Sequence, residues 1–240
     1  PPPQLDIGLV SAIPRDRVSS DITYILEKAI SERGALSEAE IERMMQARGP
    51  DFTAVCQAAD KYRKVVAGDE VTYCVNRNIN YTNICYFKCQ FCAFSKGKMS
   101  ENLRGRPYDL SHEEIMRRTK EAWDRGASEV CLQGGIHPEY DGNTYIDICR
   151  SIKQVVPEMH IHAFSPLEVW QGAKTLGLPI SDFLRELKEA GLGTLPGTAA
   201  EILDDEVRKD LCPDKINTSQ WLEVMEAAHN EGFNTTATIM

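Results

Sequence analysis

The sequence has no long uncharged apolar run, no short repeat and no excess of positive charge. A membrane-spanning helix needs about 20 consecutive apolar residues, and no uncharged segment of these 240 residues approaches that length. The Pro-rich start lacks the apolar core of a secretory signal peptide. With 27 basic and 36 acidic residues the net charge is −9, which disfavours nucleic acid and anionic lipid as partners. These absences predict a cytoplasmic protein that binds neither membranes nor nucleic acid.

The eight cysteines of the chain are unevenly distributed. That number is too small for a disulfide-stabilised scaffold. Three cysteines fall within eight positions, at Cys85, Cys89 and Cys92, and in a reducing compartment such closely spaced thiols usually bind a metal or carry out redox chemistry. We expect four of the separated cysteines to be small apolar residues of the core: Cys56, Cys131, Cys149 and Cys212.

Apolar residues make up 42% of the chain, enough for a real core, and they follow two different patterns. Up to residue 69 the spacing is helical: Ser37 and Glu40 form a capping box, and Gly49-Pro50 ends that segment before a second helical stretch. From residue 70 onward strands alternate with helices. We therefore predict an N-terminal helical extension over 1–69 and a second domain over 70–240.

The second domain is predicted to contain five strands separated by helices. The helix over 111–125 begins with another capping box, Ser111 and Glu114. Repeated strand–helix units produce parallel strands joined by right-handed crossovers. The predicted strands are 71–81, 129–133, 159–164, 194–195 and 235–240, and the other predicted helices are 145–155, 181–190 and 221–230.

Polar residues on one face of several strands favour a barrel over an open sheet. A strand covered by helices on both sides is apolar on both faces. In the third strand the apolar residues Met159, Ile161 and Ala163 alternate with His160, His162 and Phe164, and in the first strand one face carries Asn76, Asn78 and Asn80. We expect these polar faces to line a wet or ligand-filled lumen. The predicted fold is α/β, a partial (β/α) TIM-type barrel that is truncated after the fifth strand.

The clustered cysteines follow the first strand with the spacing C-x3-C-x2-C. In an α/β barrel the loops after the strands lie at the face where active sites form. Structural zinc takes four ligands, so a zinc site here would need His112 or Cys74 as the fourth. An iron–sulfur cube is held by cysteine thiolates, and three of them would leave one iron open to an external ligand. The residues alone leave both a non-enzymatic zinc protein and a reactive cluster possible.

In its strand–loop–helix context this loop resembles the signature of radical S-adenosylmethionine (SAM) enzymes, including Phe91 before the last cysteine. The resemblance implies a 4Fe-4S cluster on the three cysteines, with SAM chelating the open iron and yielding a 5′-deoxyadenosyl radical. It also implies that the backbone of a Gly-Gly motif after the second strand holds the methionine amino group. The residues that would contact this cofactor are Phe91, Gln133, Gly134, Gly135 and Glu201. Glu201 has an alternative role, as the cap of a helix beginning there.

Longer stretches resemble the tyrosine-dependent subunits of FO synthases, radical enzymes of deazaflavin coenzyme biosynthesis. They include 76–84, 93–97, 133–138, 160–168 and 196–205. Radical SAM enzymes of the futalosine pathway of menaquinone biosynthesis share much of this pattern and are the alternative.

The resemblance implies a radical transferase reaction. Hydrogen is removed from the amino group of L-tyrosine, the Cα–Cβ bond breaks, and the 4-hydroxybenzyl fragment joins C5 of 5-amino-6-(D-ribitylamino)uracil. It also implies an external electron donor and a second radical SAM subunit or fused domain that cyclises the product.

The predicted lumen has side chains suited to these substrates. Buried polar groups need hydrogen-bond partners, and a uracil with a ribityl chain offers many. We expect Asn76, Asn78 and Asn80 to bind substrate, and His160 and His162 to bind it or to transfer protons. The alternative is that the two histidines only stabilise the structure.

Overall fold

The computed structural model describes residues 17–31, 36–87, 89–90, 92, 106–198 and 200–238. The chain packs as two compact units, Pro1–Thr72 and Tyr73–Met240. Among the described residues, no helix combines the length and the apolarity that crossing a membrane requires.

In the first unit the described residues form three helices: α1 Ser20–Ser31, α2 Glu38–Met45 and α3 Pro50–Ala67. The predicted capping box at the start of α2 is confirmed, since the Ser37 side chain accepts from the Glu40 N–H and the Glu40 carboxylate accepts from the Ser37 N–H. Cys56 lies on α3 and is exposed, so its expected place in the core is wrong. None of the residues of α3 is fully buried.

In the part of the second unit that the structure describes, five parallel strands form one sheet in the order β1-β2-β3-β4-β5. A doubly wound sheet reverses its strand order at a switch point, whereas a barrel wall adds each strand beside the previous one. The observed order is therefore that of a barrel. The strands are β1 Asn76–Asn80, β2 Glu129–Gln133, β3 His160–Ala163, β4 Thr194–Leu195 and β5 Asn234–Thr235.

Six helices of this unit are described: α4 His112–Asp124, α5 Gly142–Val155, α6 Pro166–Leu176, α7 Ile180–Glu189, α8 Asp205–Leu211 and α9 Thr218–Asn230. At α4 the predicted capping box forms only in part. The Ser111 hydroxyl accepts from the Glu114 N–H, but the Glu114 carboxylate binds Arg117 and Arg118 instead of reaching back. The arginine side chains compete successfully because they bring opposite charge within reach.

The first strand is shorter than its alternation predicts. It begins at Asn76, and Val71 and Tyr73 are 92% and 87% exposed. Alternation describes side-chain polarity and cannot show where a partner strand ends; β2 has only five residues to pair with. At the other edge, β5 ends at Thr235, although the N–H groups of Thr236 and Thr238 still donate to carbonyls of the preceding strand region.

The core lies between the outer face of the sheet and the helices. Burying one aliphatic side chain in this core contributes about 1.5–3 kcal/mol to the free energy of unfolding. Cys149 and Cys212 are buried as expected, whereas Cys131 is only half-buried on the opposite face of β2, so its expected place in the core is wrong. Strand residues that belong to the core are Ile79, Val130, Leu132, Ile161, Ala163 and Leu195.

Phe164 departs from the predicted alternation of β3. Its φ of 63° is in the left-handed region, which non-glycine residues rarely adopt. The ring is fully buried against Tyr145 of α5, with centroids 4.9 Å apart. Phe164 therefore turns toward the helix layer, and its expected place in the lumen is wrong.

Candidate active site

A cavity of about 380 Å³ opens at the carboxyl ends of β1 and β2. This is the end of a parallel barrel where active sites form. The residues that line it come from the cysteine loop, the strand ends and the loops after β3 and β4. Those used below are Asn78, Asn80, Cys85, Cys89, Cys92, Gln133, Gly134, Gly135, Ser165, Glu168, Glu201 and Lys215.

The three clustered cysteines all line this cavity. Cys85 and Cys89 are half-buried against apolar side chains, and Cys92 is exposed. Backbone bonds hold the loop: Tyr86 N–H donates to the Ile136 carbonyl at 3.2 Å, and Cys92 N–H to the Cys89 carbonyl at 3.2 Å. Burial raises the pKa of the Cys89 thiol, and the nearby Lys215 ammonium opposes that shift.

The three thiols lie along the wall of one cavity. Within the described ranges, no three Cys, His, Asp or Glu side chains converge as ligands of one metal ion. A 4Fe-4S cube distributes its thiolates over different irons, so they need only line a common wall, as they do here.

The fourth ligands considered for zinc lie elsewhere. Cys74 precedes β1 and contacts Ser128 at 3.8 Å, while the cysteine loop follows β1, about 16 Å along a five-residue strand. His112 is exposed on α4, and its Nδ1 is 3.0 Å from the Ser151 hydroxyl. Neither side chain lines the cavity, so the zinc alternative is not supported.

The paired glycines permit a close approach that no side chain would allow. A Cβ on Gly134 would lie 2.2 Å from the Tyr81 ring, and one on Gly135 would lie 2.2 Å from the Ile84 carbonyl oxygen. The Gly135 N–H donates to the Thr82 carbonyl at 2.9 Å. The strand end therefore lies directly against the cysteine loop, with bare backbone facing the cavity.

A buried carboxylate lies beside this glycine pair. Glu168, in the first turn of α6, forms a capping box with Ser165, whose N–H and hydroxyl both donate to it at 2.6 Å. The Tyr81 hydroxyl donates to its other oxygen. Sequence reasoning assigned Glu168 no role and left α6 unpredicted. The pattern Ser-Pro-x-Glu directly after a strand is a helix-start signal that could have found both.

Glu201 lines the cavity with a φ of 49°, in the left-handed region. The N-cap of α8 is Asp204, whose carboxylate accepts from the N–H groups of Glu206 and Val207 at 2.9 and 3.1 Å. The capping role considered for Glu201 is therefore wrong. A strained non-glycine backbone at a cavity wall is typical of functional residues.

The predicted substrate residues separate into two groups. Asn78 and Asn80 line the cavity. Asn76 lies at the other end of β1, where its amide nitrogen is 3.5 Å from a Glu129 oxygen.

Of the two histidines, His160 lies level with Asn76, and His162 lies two residues nearer the cavity. The Thr194 hydroxyl contacts His160 Nε2 at 2.9 Å and His162 Nδ1 at 2.7 Å. The strand register places Asn78, which reaches the cavity, at the same level as His162 and Thr194. Burial lowers the pKa of His162, which favours its neutral form. The catalytic role predicted for this pair stays a prediction, and Phe91 lies outside the described residues.

Comparisons with known proteins agree with this geometry. Residues 79–240 match the model of the Radical SAM superfamily. The chain is 46% identical over 225 residues to FO synthase of Streptomyces avermitilis, covering 94% of this chain and 26% of that protein. It is 45% identical over 216 residues to the 5-amino-6-(D-ribitylamino)uracil--L-tyrosine 4-hydroxyphenyl transferase of Methanothermobacter thermautotrophicus, covering 90% and 57%. The chain thus spans about a quarter of the FO synthase and somewhat over half of the transferase.

Two solved structures show the fold. Methylornithine synthase (PylB) has a TM-score of 0.63 at 20% identity, covering 88% of this chain and 57% of that one. The FeFe-hydrogenase maturase HydG from Carboxydothermus hydrogenoformans has a TM-score of 0.66 at 18% identity, covering 97% and 51%. These likenesses confirm the predicted TIM-type barrel architecture.

Proposed function

Because the chain belongs to the radical SAM superfamily, we propose that it is the tyrosine-dependent transferase part of an FO synthase. It joins the 4-hydroxybenzyl group of L-tyrosine to 5-amino-6-(D-ribitylamino)uracil in the synthesis of FO (7,8-didemethyl-8-hydroxy-5-deazariboflavin). The observation that carries the proposal is the 45% identity over 216 residues to the relative named as this transferase. The FO synthase relatives also favour it over the futalosine-pathway alternative.

The superfamily uses a 4Fe-4S cluster and SAM. Cys85, Cys89 and Cys92 would hold the cluster, and the bare backbone at Gly134 and Gly135 has room for the methionine end of SAM. Glu201, on the same cavity wall, would bond the adenosyl ribose. When bound, this cofactor supplies a carbon radical that removes hydrogen from the substrate.

The chain's own residues bind and orient the acceptor. The side-chain amides of Asn78 and Asn80 each offer a donor and an acceptor to the cavity. A uracil edge carries the same mixture, so the amides can pair with it and fix the direction in which C5 faces. Asn76 lies near Glu129, where it can bond the far end of a ribityl chain extending down the lumen.

A proton must also leave during the reaction. C5 of the acceptor already carries an amino group and no hydrogen. Bond formation at C5 by the benzyl radical therefore releases a proton from the amino nitrogen on C6 together with one electron, which balances the electron consumed when SAM is cleaved. Overall, tyrosine, the uracil and SAM give the adduct, the glycine imine, methionine, 5′-deoxyadenosine and one proton. His162 is held neutral by burial and can accept that proton. The Thr194 hydroxyl, shared with His160, can pass it on.

The curated relatives suggest what else the full protein contains. The chain covers 26% of the FO synthases it matches, which leaves room for a second radical SAM domain that cyclises the adduct. An external electron donor would reduce the cluster. The negative net charge and the absence of membrane-spanning helices among the described residues are compatible with action in the cytoplasm.

The decisive experiment uses the full-length protein, reconstituted without oxygen and incubated with a reductant, SAM, tyrosine and the ribitylaminouracil. We expect 5′-deoxyadenosine, the glycine imine (trapped as glyoxylate) and the benzylated uracil in mass spectra. Omitting tyrosine should suppress 5′-deoxyadenosine. If it forms equally well without tyrosine, the proposed function is wrong.

A further inference from the structure

The carboxylate of Glu168 has no part in the function proposed above, yet it is only 2% exposed and touches the cavity wall. A buried charge is costly unless hydrogen bonds compensate for it. Its partners are the Tyr81 hydroxyl and the N–H and hydroxyl of Ser165, with a weaker contact from the Gly134 N–H. This cost and its compensation at the edge of a candidate active site need an explanation.

The hydrogen bonds fix both oxygens of Glu168. The N–H groups of Ser165 and Gly134 can only donate to it, and the hydroxyls of Tyr81 and Ser165 lie within hydrogen-bond distance. Burial raises the pKa of Glu168, and the bonds from Ser165, Tyr81 and Gly134 oppose that rise. The carboxyl group is therefore held in one position beside the Gly-Gly turn.

In the Gly-Gly turn the N–H groups are engaged in hydrogen bonds, and the carbonyl oxygens remain available as acceptors. The Gly135 N–H donates to the Thr82 carbonyl, and the Gly134 N–H is directed to Glu168. Among the residues that the structure describes, no backbone or side-chain donor occupies the carbonyl oxygens of Gly134 and Gly135. Carbonyl groups beside a carboxylate favour an ammonium group and disfavour an anion.

Tyr81 lies between the Glu168 carboxyl group and the Gly134 backbone. Its ring fills the space where a Cβ of Gly134 would be, and its hydroxyl bonds Glu168. Tyr81 is completely buried and does not line the cavity. It can therefore influence a ligand only through Gly134 and Glu168.

We propose that Tyr81 and Glu168 are positioning residues for the methionine end of SAM. Together they hold the Gly-Gly turn so that it presents its carbonyl oxygens to the α-ammonium group. The inference rests on the use of SAM in the proposed function, and it is independent of which substrates follow.

The test is SAM binding by full-length, cluster-loaded Tyr81→Phe protein. This variant keeps the ring that supports Gly134 and removes only the hydroxyl. We expect wild-type iron content. The SAM concentration for the half-maximal change in the EPR spectrum of the reduced cluster should be about tenfold higher, because the buried hydrogen bond that holds Glu168 beside Gly134 is lost. Glu168→Gln should have a larger effect, since its amide N–H₂ faces donors.

Tyr140→Phe is the matched control. Tyr140 stacks on Tyr81 at 6.2 Å, but its hydroxyl bonds Asp109 and not Glu168. For Tyr140→Phe the half-maximal SAM concentration should be within about twofold of the wild-type value. Glu168→Asp should recover part of the affinity that Glu168→Gln loses.

The inference is overturned if Tyr81→Phe binds SAM like the wild type, or if Tyr140→Phe weakens binding as much. A wild-type protein without any SAM response would refute the inference and its premise together. No tyrosine or uracil is present in the titration. A protein that binds SAM as expected but forms no adduct therefore refutes the proposed function and leaves this inference standing.

Discussion

At the scale of single residues, close contacts and hydrogen-bond partners decide what the cavity can bind. Gly134 and Gly135, the Glu168 carboxylate and the Thr194 hydroxyl each have their neighbouring atoms within 3 Å, and these few atoms decide what each group does. Each can therefore be tested by a substitution that changes only those atoms.

Gly135→Ala should disturb the cysteine loop. Its Cβ would lie 2.2 Å from the Ile84 carbonyl oxygen and 2.8 Å from the Cys85 Cβ, and backbone cannot rotate away as a side chain can. We expect a loss of about 1–3 kcal/mol of stability and a lower iron content after reconstitution. Gly126→Ala is the control, because its positive φ brings backbone strain but no atom lies within 4 Å. Normal iron in Gly135→Ala would contradict the expected contact.

His162 should make stability depend on pH. Its folded pKa is lowered from 6.5, mainly by burial, with His160 adding to the shift and Glu129 opposing it. The unfolded chain therefore takes up the proton first as the pH falls, and stability present above pH 6.5 is lost as the pH decreases toward the folded pKa. Urea unfolding at pH 7.5 and 5.5 should show a larger loss for the wild type than for His162→Asn. Equal losses would show that this imidazole is not disfavoured in its charged form.

At the scale of elements, helix starts place the functional side chains. The N-cap of α6 at Ser165 fixes Glu168, and the N-cap of α8 at Asp204 leaves Glu201 free to line the cavity. Behind Glu201, the buried guanidinium of Arg208 donates to the carbonyls of Ala200, Ile202 and Ile216. One side chain of α8 thus holds the loop on which Glu201 lies.

Arg208→Met should destabilise this loop. Arg208 is 3% exposed, and its loss leaves three carbonyls without their donor, at a cost of about 2–4 kcal/mol in the free energy of unfolding. Lys209→Ala on the same helix removes only an exposed ion pair with Glu206 and should change stability by less than about 1 kcal/mol. Urea denaturation compares the two variants. Similar small losses for both would show that Arg208 does not hold the loop.

At the scale of the whole second unit, the parallel order of the strands brings distant segments to one cavity. Cys85, Gly134, Glu168 and Glu201 follow four successive strands of the sheet. Each comes after a strand end, and parallel strands all end on the same side.

Cysteine substitutions should distinguish the three cysteines that hold the cluster from those that do not, by their effect on iron loading. Replacing Cys85, Cys89 or Cys92 by alanine should abolish a loading of about four iron atoms per chain, because each thiolate would hold a different iron. Cys131→Ala and Cys74→Ala should load normally, since neither thiol lines the cavity. Iron and sulfide analysis after anaerobic reconstitution provides the measurement. One zinc per chain, or iron retained without Cys89, would contradict the cluster.

Features set by the local sequence pattern agree with their predictions better than features that depend on a neighbouring element. The strand Glu129–Gln133 and the capping box at Ser37 follow from local pattern and agree with the structure residue by residue. The predicted first strand, 71–81, is six residues longer than β1, five at its start and one at its end, because the ends of a strand depend on its neighbour. Phe164 was placed on the wrong face because alternation assumes an extended backbone, and a φ of 63° reverses the direction of the side chain.

The sequence by itself determined the cysteine spacing, the order of strands and helices and the polar faces of the strands, since each is carried by neighbours along the chain. From these the parallel barrel and the resemblance to radical SAM enzymes could be recognised. Only the tertiary structure decided that Glu168 lies under the Gly-Gly turn, that Asn76 is separated from Asn78 and Asn80 by its place in the lumen, and that one threonine hydroxyl serves two histidines. Those relations join residues tens of positions apart, and they exist because close packing and the need to pair every buried polar group act on the folded chain as a whole.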